Sequence, residues 1–215
     1  MLSKIYTTTT QGLVSRMVEC EISLSGGMPS MTIVGLPDKA VQESRERVKS
    51  AIKNSKFDFP LGKLTINLAP ADIHKSGTGF DLPIAIGILK VIKVIGSESL
   101  EHSLFIGELA LDGQIRGVRS VLTSCLWARD NGFKNIYIPT ENQKEAALVS
   151  GINIYPMQSL DEVTKHLNKQ TKVIPLISTK LTAKEEISLP TKPAELKNLD
   201  HLFEYWKRHL LDKKK

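Results

Sequence analysis

The sequence predicts a mixed α/β domain in which helices pack on a sheet. Short stretches with an alternating apolar pattern follow one another along the chain, separated by segments with helical periodicity. An Asp112-Gly113 pair between two apolar runs indicates a hairpin. The 215 residues are 41% hydrophobic and 24% charged, which is enough for one core and an appendage. We therefore expect one layered α/β (α+β) domain without a transmembrane helix.

The first third of the chain predicts two strands, a helix and a third strand. Residues 18–24 alternate as in a half-buried strand, a Gly/Pro turn occupies 25–29, and residues 31–35 return as a second strand. Pro37-Asp38 opens a helix. The apolar stripe of this helix consists of Val41, Val48, Ala51 and Ile52. Residues 63–68 form the third strand, and a loop covers 69–79.

The rest of the body predicts further helices, a hairpin and two short strands. A helix from Asp81 to about residue 94 is apolar nearly all round and is expected to be buried. Residues 104–109 and 114–115 flank the hairpin turn. Helices at 118–131 and 141–149 alternate with strands at 136–139 and 152–155, and Gly132 ends the first of these helices. Ser159 and Glu162 form a capping box for the last helix.

The composition changes at about residue 168 and divides the chain into a body at 1–167, a linker at 168–197 and a basic amphipathic tail helix at 198–215. Residues 168–215 contain 11 Lys/Arg and 6 Asp/Glu, whereas the body contains 18 and 17. Because the body is almost neutral, any contact with nucleic acid must come from a local patch. The tail helix docks through Phe203 and Trp206, binds an anionic surface, or packs on nothing; docking is favoured.

Several classes of site have no support in the sequence. The chain lacks a Gly-x-x-x-x-Gly-Lys-Ser/Thr loop, so we do not expect it to hydrolyse ATP alone. Gly77-Thr78-Gly79 lacks the third glycine of a dinucleotide fingerprint. No histidine has convincing ligand spacing, and Cys20 and Cys125 lie far apart. We expect no cofactor and no metal, and a cytoplasmic protein with reduced thiols, no signal segment and no membrane contact.

The loop before the buried helix has two interpretations. Its glycines permit positive φ, and amides at a helix N-terminus can face an anion, which favours an anion or nucleophile loop. The candidate residues are Ser76, Gly77, Thr78 and Gly79. The alternative, favoured on chemistry alone, is a tight turn in which Thr78 or Asp81 caps the helix and Pro83 occupies its first turn.

A basic stripe follows the helix that begins near Asp38. Arg45, Lys49, Lys53 and Lys56 recur at helical spacing beside the apolar face, while Arg47 lies elsewhere on the helix. The stripe either contacts phosphates with a salt-dependent affinity or is a solvated face partly paired with Glu43 and Glu46; the two are weighed equally. No aromatic residue interleaves with it, so a base-stacking platform is not expected. The candidate DNA contacts are Arg45, Lys49 and Lys53, with Lys75 and Arg116 behind them.

Several motifs in order resemble the amino-terminal domain of the ComM/YifB family, also called magnesium-chelatase-like. They are Ile33-Val34-Gly35-Leu36-Pro37-Asp38, Glu43-Ser44-Arg45-Glu46-Arg47-Val48, Asn67-Leu68-Ala69-Pro70-Ala71-Asp72, Gly77-Thr78-Gly79-Phe80-Asp81-Leu82-Pro83-Ile84-Ala85, and Gly107-Glu108-Leu109 with Asp112-Gly113. The resemblance covers about residues 2–167. It implies a Lon-protease-like, ribosomal-protein-like β-α-β fold that is also similar to the carboxy-terminal domain of RadA. Full-length members are described as hexameric AAA+ motors for DNA branch migration in natural transformation; the AAA+ module is absent here.

The Lon likeness implies a catalytic serine–lysine pair, and the two corresponding positions can be located in this sequence. Matching the family motifs places the serine at Gly79 and the lysine at Leu122, and neither residue can do the chemistry. No lysine occurs between Lys93 and Lys134, so a small shift in alignment does not restore the base. A displaced nucleophile at Ser76 or Thr78 would lack a nearby base.

These observations lead to three hypotheses. The first is a non-catalytic, stand-alone domain for self-assembly, DNA handling or both, in a competence or recombination context, with a homo-oligomer or a partner protein. The second is a cryptic Ser/Thr hydrolase of Lon type. The third is a truncated remnant of a magnesium-chelatase-like AAA+ ATPase.

Overall fold

The computed structural model describes residues 1–12, 14–96 and 100–178. Within them, helices cover both faces of a seven-stranded mixed sheet, which confirms the predicted α/β layered class. The predicted tail helix and the predicted linker beyond residue 178 lie outside the described residues.

Seven strands form the sheet and two more form a separate hairpin. The strands are β1 (Leu2–Gln11), β2 (Val14–Ser25), β3 (Ser30–Val34), β4 (Lys63–Ala69), β5 (Ser103–Phe105), β6 (Glu108–Leu109), β7 (Ile115–Arg116), β8 (Asn135–Pro139) and β9 (Asn153–Met157). The helices are α1 (Lys39–Asn54), α2 (Asp81–Val91), α3 (Val121–Asp130), α4 (Gln143–Ala146) and α5 (Leu160–Leu167). The sheet order is β3-β4-β2-β1-β5-β8-β9. β2 runs antiparallel to β1 and β4, the other neighbours are parallel, and β6 pairs with β7.

The core lies on both faces of the sheet. One apolar cluster joins the sheet to α1, α2 and α5, and the other joins it to α3 and α4. The prediction of a buried helix from Asp81 is confirmed, because ten of the eleven residues of α2 are buried. Gly87 lets α2 approach the sheet closely, since a Cβ at this position would overlap the side chain of Ile22.

The sequence pattern does not predict β1. This strand pairs with β2 along its whole length, yet its inward face presents Ser3, Thr7 and Thr9 together with the apolar Ile5. The Ser3 hydroxyl donates to the Gly87 carbonyl at 2.8 Å. Because hydroxyl side chains replace apolar ones on the buried face, the alternating apolar signal of a strand is absent.

Other predicted elements are present with altered boundaries. The Asp112-Gly113 hairpin is confirmed, but residues 104–109 are split between β5 of the main sheet and β6 of the hairpin. The helix predicted from residue 118 begins at Val121, because Ser120 has a φ of 65°. The helix predicted at 141–149 is a 3-10 turn at Thr140–Asn142 followed by the short α4.

The chain after α5 continues along the body. The Val173 N–H donates to His166 Nδ1 at 3.1 Å, and the Leu176 N–H donates to the Ile154 carbonyl at 2.8 Å. The first part of the predicted linker therefore follows β9 at the edge of the sheet. Within the three described ranges, every helix is too short or too polar to cross a membrane.

Candidate functional site

Helix α1 presents a buried face and an exposed basic face. Asp38 caps its N-terminus, with Oδ1 accepting from the Val41 N–H at 2.8 Å. The predicted apolar stripe is buried and packs on α2 and the sheet. This packing fixes the rotation of the helix, so that Arg45, Lys49 and Lys53 are exposed together.

These three basic side chains line one open groove of about 350 Å³, which we call the basic groove. It lies between α1, the start of β3 and the segment that leads into β4. Its remaining lining residues are Pro29, Ser30, Met31, Glu46, Phe59, Pro60, Leu61 and Gly62. One wall is therefore cationic and the other mainly apolar. No aromatic residue interleaves with the stripe along the sequence, but folding brings Phe59 from the segment before β4 into the same groove.

The cations of the basic groove are not neutralised by ion pairs. In the part of the chain that the structure describes, no salt bridge involves Arg45, Lys49 or Lys53. Glu43 lies 4.0 Å from Lys39 instead. Glu46 lines the groove without an ion pair to the stripe. The interpretation of the stripe as a face partly paired with Glu43 and Glu46 is therefore not supported.

The two secondary DNA-contact candidates lie away from the basic groove. Lys75 is fully buried and its ammonium donates to the Pro70 carbonyl, so it does not face solvent. Burial lowers the pKa of Lys75. Arg116 is exposed on the small hairpin, where its guanidinium lies 3.7 Å from the Glu108 carboxylate. Of the five candidates, the structure brings together Arg45, Lys49 and Lys53, and it corrects the expectation that Lys75 is available at the surface.

The loop at Ser76–Gly79 is held by the protein's own groups. The Gly77 N–H donates to Asp38 Oδ2 at 3.2 Å, so a carboxylate of the chain accepts from an amide that the anion-loop interpretation would leave for an external anion. The alternative prediction that Thr78 or Asp81 caps α2 is wrong, because no side chain caps this helix. The loop instead ties α2 to the start of α1.

The two positions that the resemblance assigns to the Lon-type pair, Gly79 and Leu122, have apolar surroundings. A Cβ at Gly79 would lie 3.4 Å from the Ile106 side chain and 4.0 Å from that of Val118, and Leu122 packs against the apolar cluster of α3 and α4. Among the described residues, neither the Ser76 nor the Thr78 hydroxyl has a hydrogen bond to a basic side chain. A serine hydroxyl needs such a base to act as a nucleophile. The geometry thus gives the cryptic-hydrolase hypothesis no observation in its favour.

A buried ion pair that the sequence analysis missed joins two of the family motifs. Asp81 is fully buried and accepts from Arg47 Nε at 2.7 Å and from Arg47 Nη2 at 3.0 Å. The Ser44 hydroxyl and the Leu109 N–H, at 3.1 Å, donate to the same carboxylate. Burial raises the pKa of Asp81, the bonds from Arg47 and Ser44 oppose this, and Asp81 raises the pKa of Arg47. The sequence contains one indication of this pair: Arg47 is the basic residue of α1 that lies outside the exposed stripe.

The fold and these features define a class: an α/β domain with helices on both faces of a mixed sheet, locked by a buried Arg–Asp pair and bearing a basic groove. The family model for subunit ChlI of Mg-chelatase matches residues 18–142. Competence protein ComM of Haemophilus influenzae is 42% identical over 172 residues, which are 80% of this chain and 34% of ComM. YifB of Salmonella typhimurium is 37% identical over 199 residues, which are 92% of this chain and 38% of YifB. The chain belongs to this magnesium-chelatase ChlI-like family.

The chain matches only part of the length of these relatives. The chain spans about a third of the length of ComM and YifB. Lon protease 1 of Hydrogenovibrio crunogenus is 26% identical over 161 residues, which are 69% of this chain and 20% of that protease. This match supports the Lon resemblance weakly.

Proposed function

We propose that this domain is a non-catalytic DNA-handling module of the ChlI-like family, which holds backbone phosphates against Arg45, Lys49 and Lys53. The observation that supports the proposal is the basic groove, in which three exposed cations without ion pairs converge on an otherwise almost neutral body. Such a cluster binds nucleic acid through its phosphates without regard to sequence. The competence context is taken from the name of the ComM relative and extended here to this chain.

The groove sets the expected salt dependence. If three cations each neutralise one phosphate, log K falls with log salt at a slope of about −2.7 for duplex DNA and about −2.1 for single strands. Raising the salt from about 50 to about 200 mM then weakens duplex binding roughly 40-fold. A site with three cations is expected to bind DNA with modest affinity. A variant without these cations should bind DNA measurably more weakly.

The test compares two triple variants of the full chain by fluorescence anisotropy on labelled single-stranded, duplex and branched DNA across a salt series. The groove variant is Arg45→Gln with Lys49→Gln and Lys53→Gln. The control removes three exposed lysines elsewhere, Lys93, Lys134 and Lys144, each changed to glutamine. Both variants lose the same net charge and keep the basic tail.

We expect the groove variant to lose most of the binding and most of the salt slope, while the control keeps both. Equal losses in the two variants would show that binding depends on overall charge or on the tail, and would contradict the proposal. Sedimentation velocity on the same samples measures self-association, which stays a separate prediction about the homo-oligomer.

A further inference from the structure

The two edges of the sheet are protected to different degrees. The outer edge of β9 receives a hydrogen bond from the Leu176 N–H, and Pro156 within β9 has no N–H to offer. In the described ranges, no strand pairs with the outer edge of β3, and β3 contains neither proline nor a charged residue. Proteins usually protect such an edge, because its unpaired backbone groups invite another strand.

The register identifies the backbone groups that are open on β3. The Ser30 N–H donates to the Gly62 carbonyl at 3.2 Å, on the side of β4. Because backbone direction alternates along a strand, Ser30, Thr32 and Val34 face β4, while the N–H and C=O groups of Met31 and Ile33 face outwards. The free edge therefore offers two donors and two acceptors at the spacing of a strand.

The surroundings of this edge differ on the two faces of the sheet. On the α1 face, Met31 and the start of β3 line the basic groove together with Arg45, Lys49 and Lys53. On the opposite face, Thr32 is exposed and Val34 is 41% exposed. A strand added here would place alternate side chains beside cations and beside an open, β-branched surface.

We propose that the edge of β3 binds an extended acidic segment of a partner protein, which adds to the sheet as an eighth strand. Alternate carboxylates of this segment pair with the basic groove, and the residues between them pack beside Thr32 and Val34. A second copy of this chain fits poorly, because its β3 brings no acidic residue and its groove brings the same positive charge. The segment uses the cations that the proposed function assigns to DNA, so the two ligands exclude each other.

The probe is a fluorescein-labelled peptide of about ten residues in which glutamate and valine alternate. We expect the full chain to bind it in anisotropy measurements at about 0.1 M salt, and binding is expected to weaken as the salt concentration rises. Hydrogen exchange is expected to show protection of the Met31 and Ile33 amides in the complex. A peptide with the same number of glutamates, each separated from the next by two prolines, is the matched control, because prolines on both of its edges remove the N–H groups that strand pairing needs.

A second pair of variants tests the edge on the protein side. Met31→Pro removes one outward N–H without removing a bond to β4, and Met31→Leu keeps the N–H and an apolar side chain. We expect Met31→Pro to weaken peptide binding at least about tenfold and Met31→Leu to bind the peptide normally. Because the proline peptide tests wild-type protein, the result does not depend on the folding of Met31→Pro.

The outcomes separate this proposal from the proposed function. Equal binding of the alternating and proline peptides would mean electrostatic attachment only, and would overturn strand addition. Protection of Met31 and Ile33 that rises with protein concentration without peptide would assign the edge to a second copy, and would overturn the acidic partner. Loss of DNA binding in the groove variant combined with unchanged peptide binding would also contradict a shared site. If the domain does not bind DNA, the proposed function fails. The peptide experiments still decide whether the edge of β3 binds an added strand.

Discussion

Removal of Arg47 tests whether the buried ion pair holds α1, α2 and the small hairpin together. Asp81 has a side chain that is 0% exposed, and the Arg47 side chain is 20% exposed. The change Arg47→Met keeps much of the apolar stem but takes two of the four donors from a buried carboxylate. Breaking one partner of a buried pair costs about 3–5 kcal/mol. Because Arg47 is partly exposed, we expect about 3 kcal/mol.

Urea unfolding of the full chain, followed by far-ultraviolet circular dichroism, measures this loss. A loss of about 3 kcal/mol lowers Tm by about 6–12 °C for a domain of this size. The matched control is Arg45→Met, two residues earlier on the same helix, where the side chain is exposed and has no ion pair; it should change stability by less than about 0.5 kcal/mol. The double variant Arg47→Met with Asp81→Leu should recover part of the loss, because no unpaired buried charge remains.

Two results would refute this reasoning. If Arg47→Met costs less than about 1 kcal/mol, the pair is no more than a surface contact. If Arg47→Met and Arg45→Met cost the same, the effect comes from helix propensity or overall charge rather than from Asp81.

Three further predictions concern the backbone, acid stability and thiol reactivity. Gly35→Ala should cost more than about 2 kcal/mol in urea unfolding, because φ is 99° and the Cβ would overlap a backbone carbonyl, whereas Gly12→Ala, with φ of 62° and open space, should cost about 1 kcal/mol. Burial lowers the pKa of His166, so the folded state binds its proton less well than the unfolded state; stability should fall as pH drops below about 6.5, and His166→Phe should flatten that slope in acid titrations of unfolding. Burial raises the pKa of both thiols, that of Cys125 to about 12, so neither Cys20 nor Cys125 should react with a disulfide reagent at pH 8 until urea unfolds the chain.

Local pattern was sufficient for the elements whose buried face is apolar. The stripe of α1, the all-round apolar α2 and the Asp112-Gly113 turn were each predicted from neighbouring residues, because their periodicity or turn chemistry is local. β1 was missed because its buried face contains Ser3, Thr7 and Thr9. The short α4 was overestimated because its preceding turn is held by contacts distant in sequence, such as Asn142 with Val118.

In the candidate site as well, local pattern predicted some residues, while others depend on contacts that are distant in sequence. Spacing on one helix correctly grouped Arg45, Lys49 and Lys53, since residues three and four apart share a helix face. Helical spacing does not predict that Phe59 reaches the groove from the segment before β4. It also does not predict that Lys75, in the loop before α2, is buried. Both positions depend on long-range contacts that no periodicity encodes.

The family motifs act in this chain mainly on the backbone and the core. Gly35 permits a close approach to β4, Asp38 caps α1 and holds Gly77, and Arg47 pairs with Asp81. None of these roles requires a nucleophile or a phosphate loop. The family motifs are therefore present in a chain in which the positions that the resemblance assigns to the Lon-type pair hold glycine and leucine. Any function must come from what this scaffold exposes, and among the described residues the feature with the most distinctive chemistry is the basic groove beside an open strand edge.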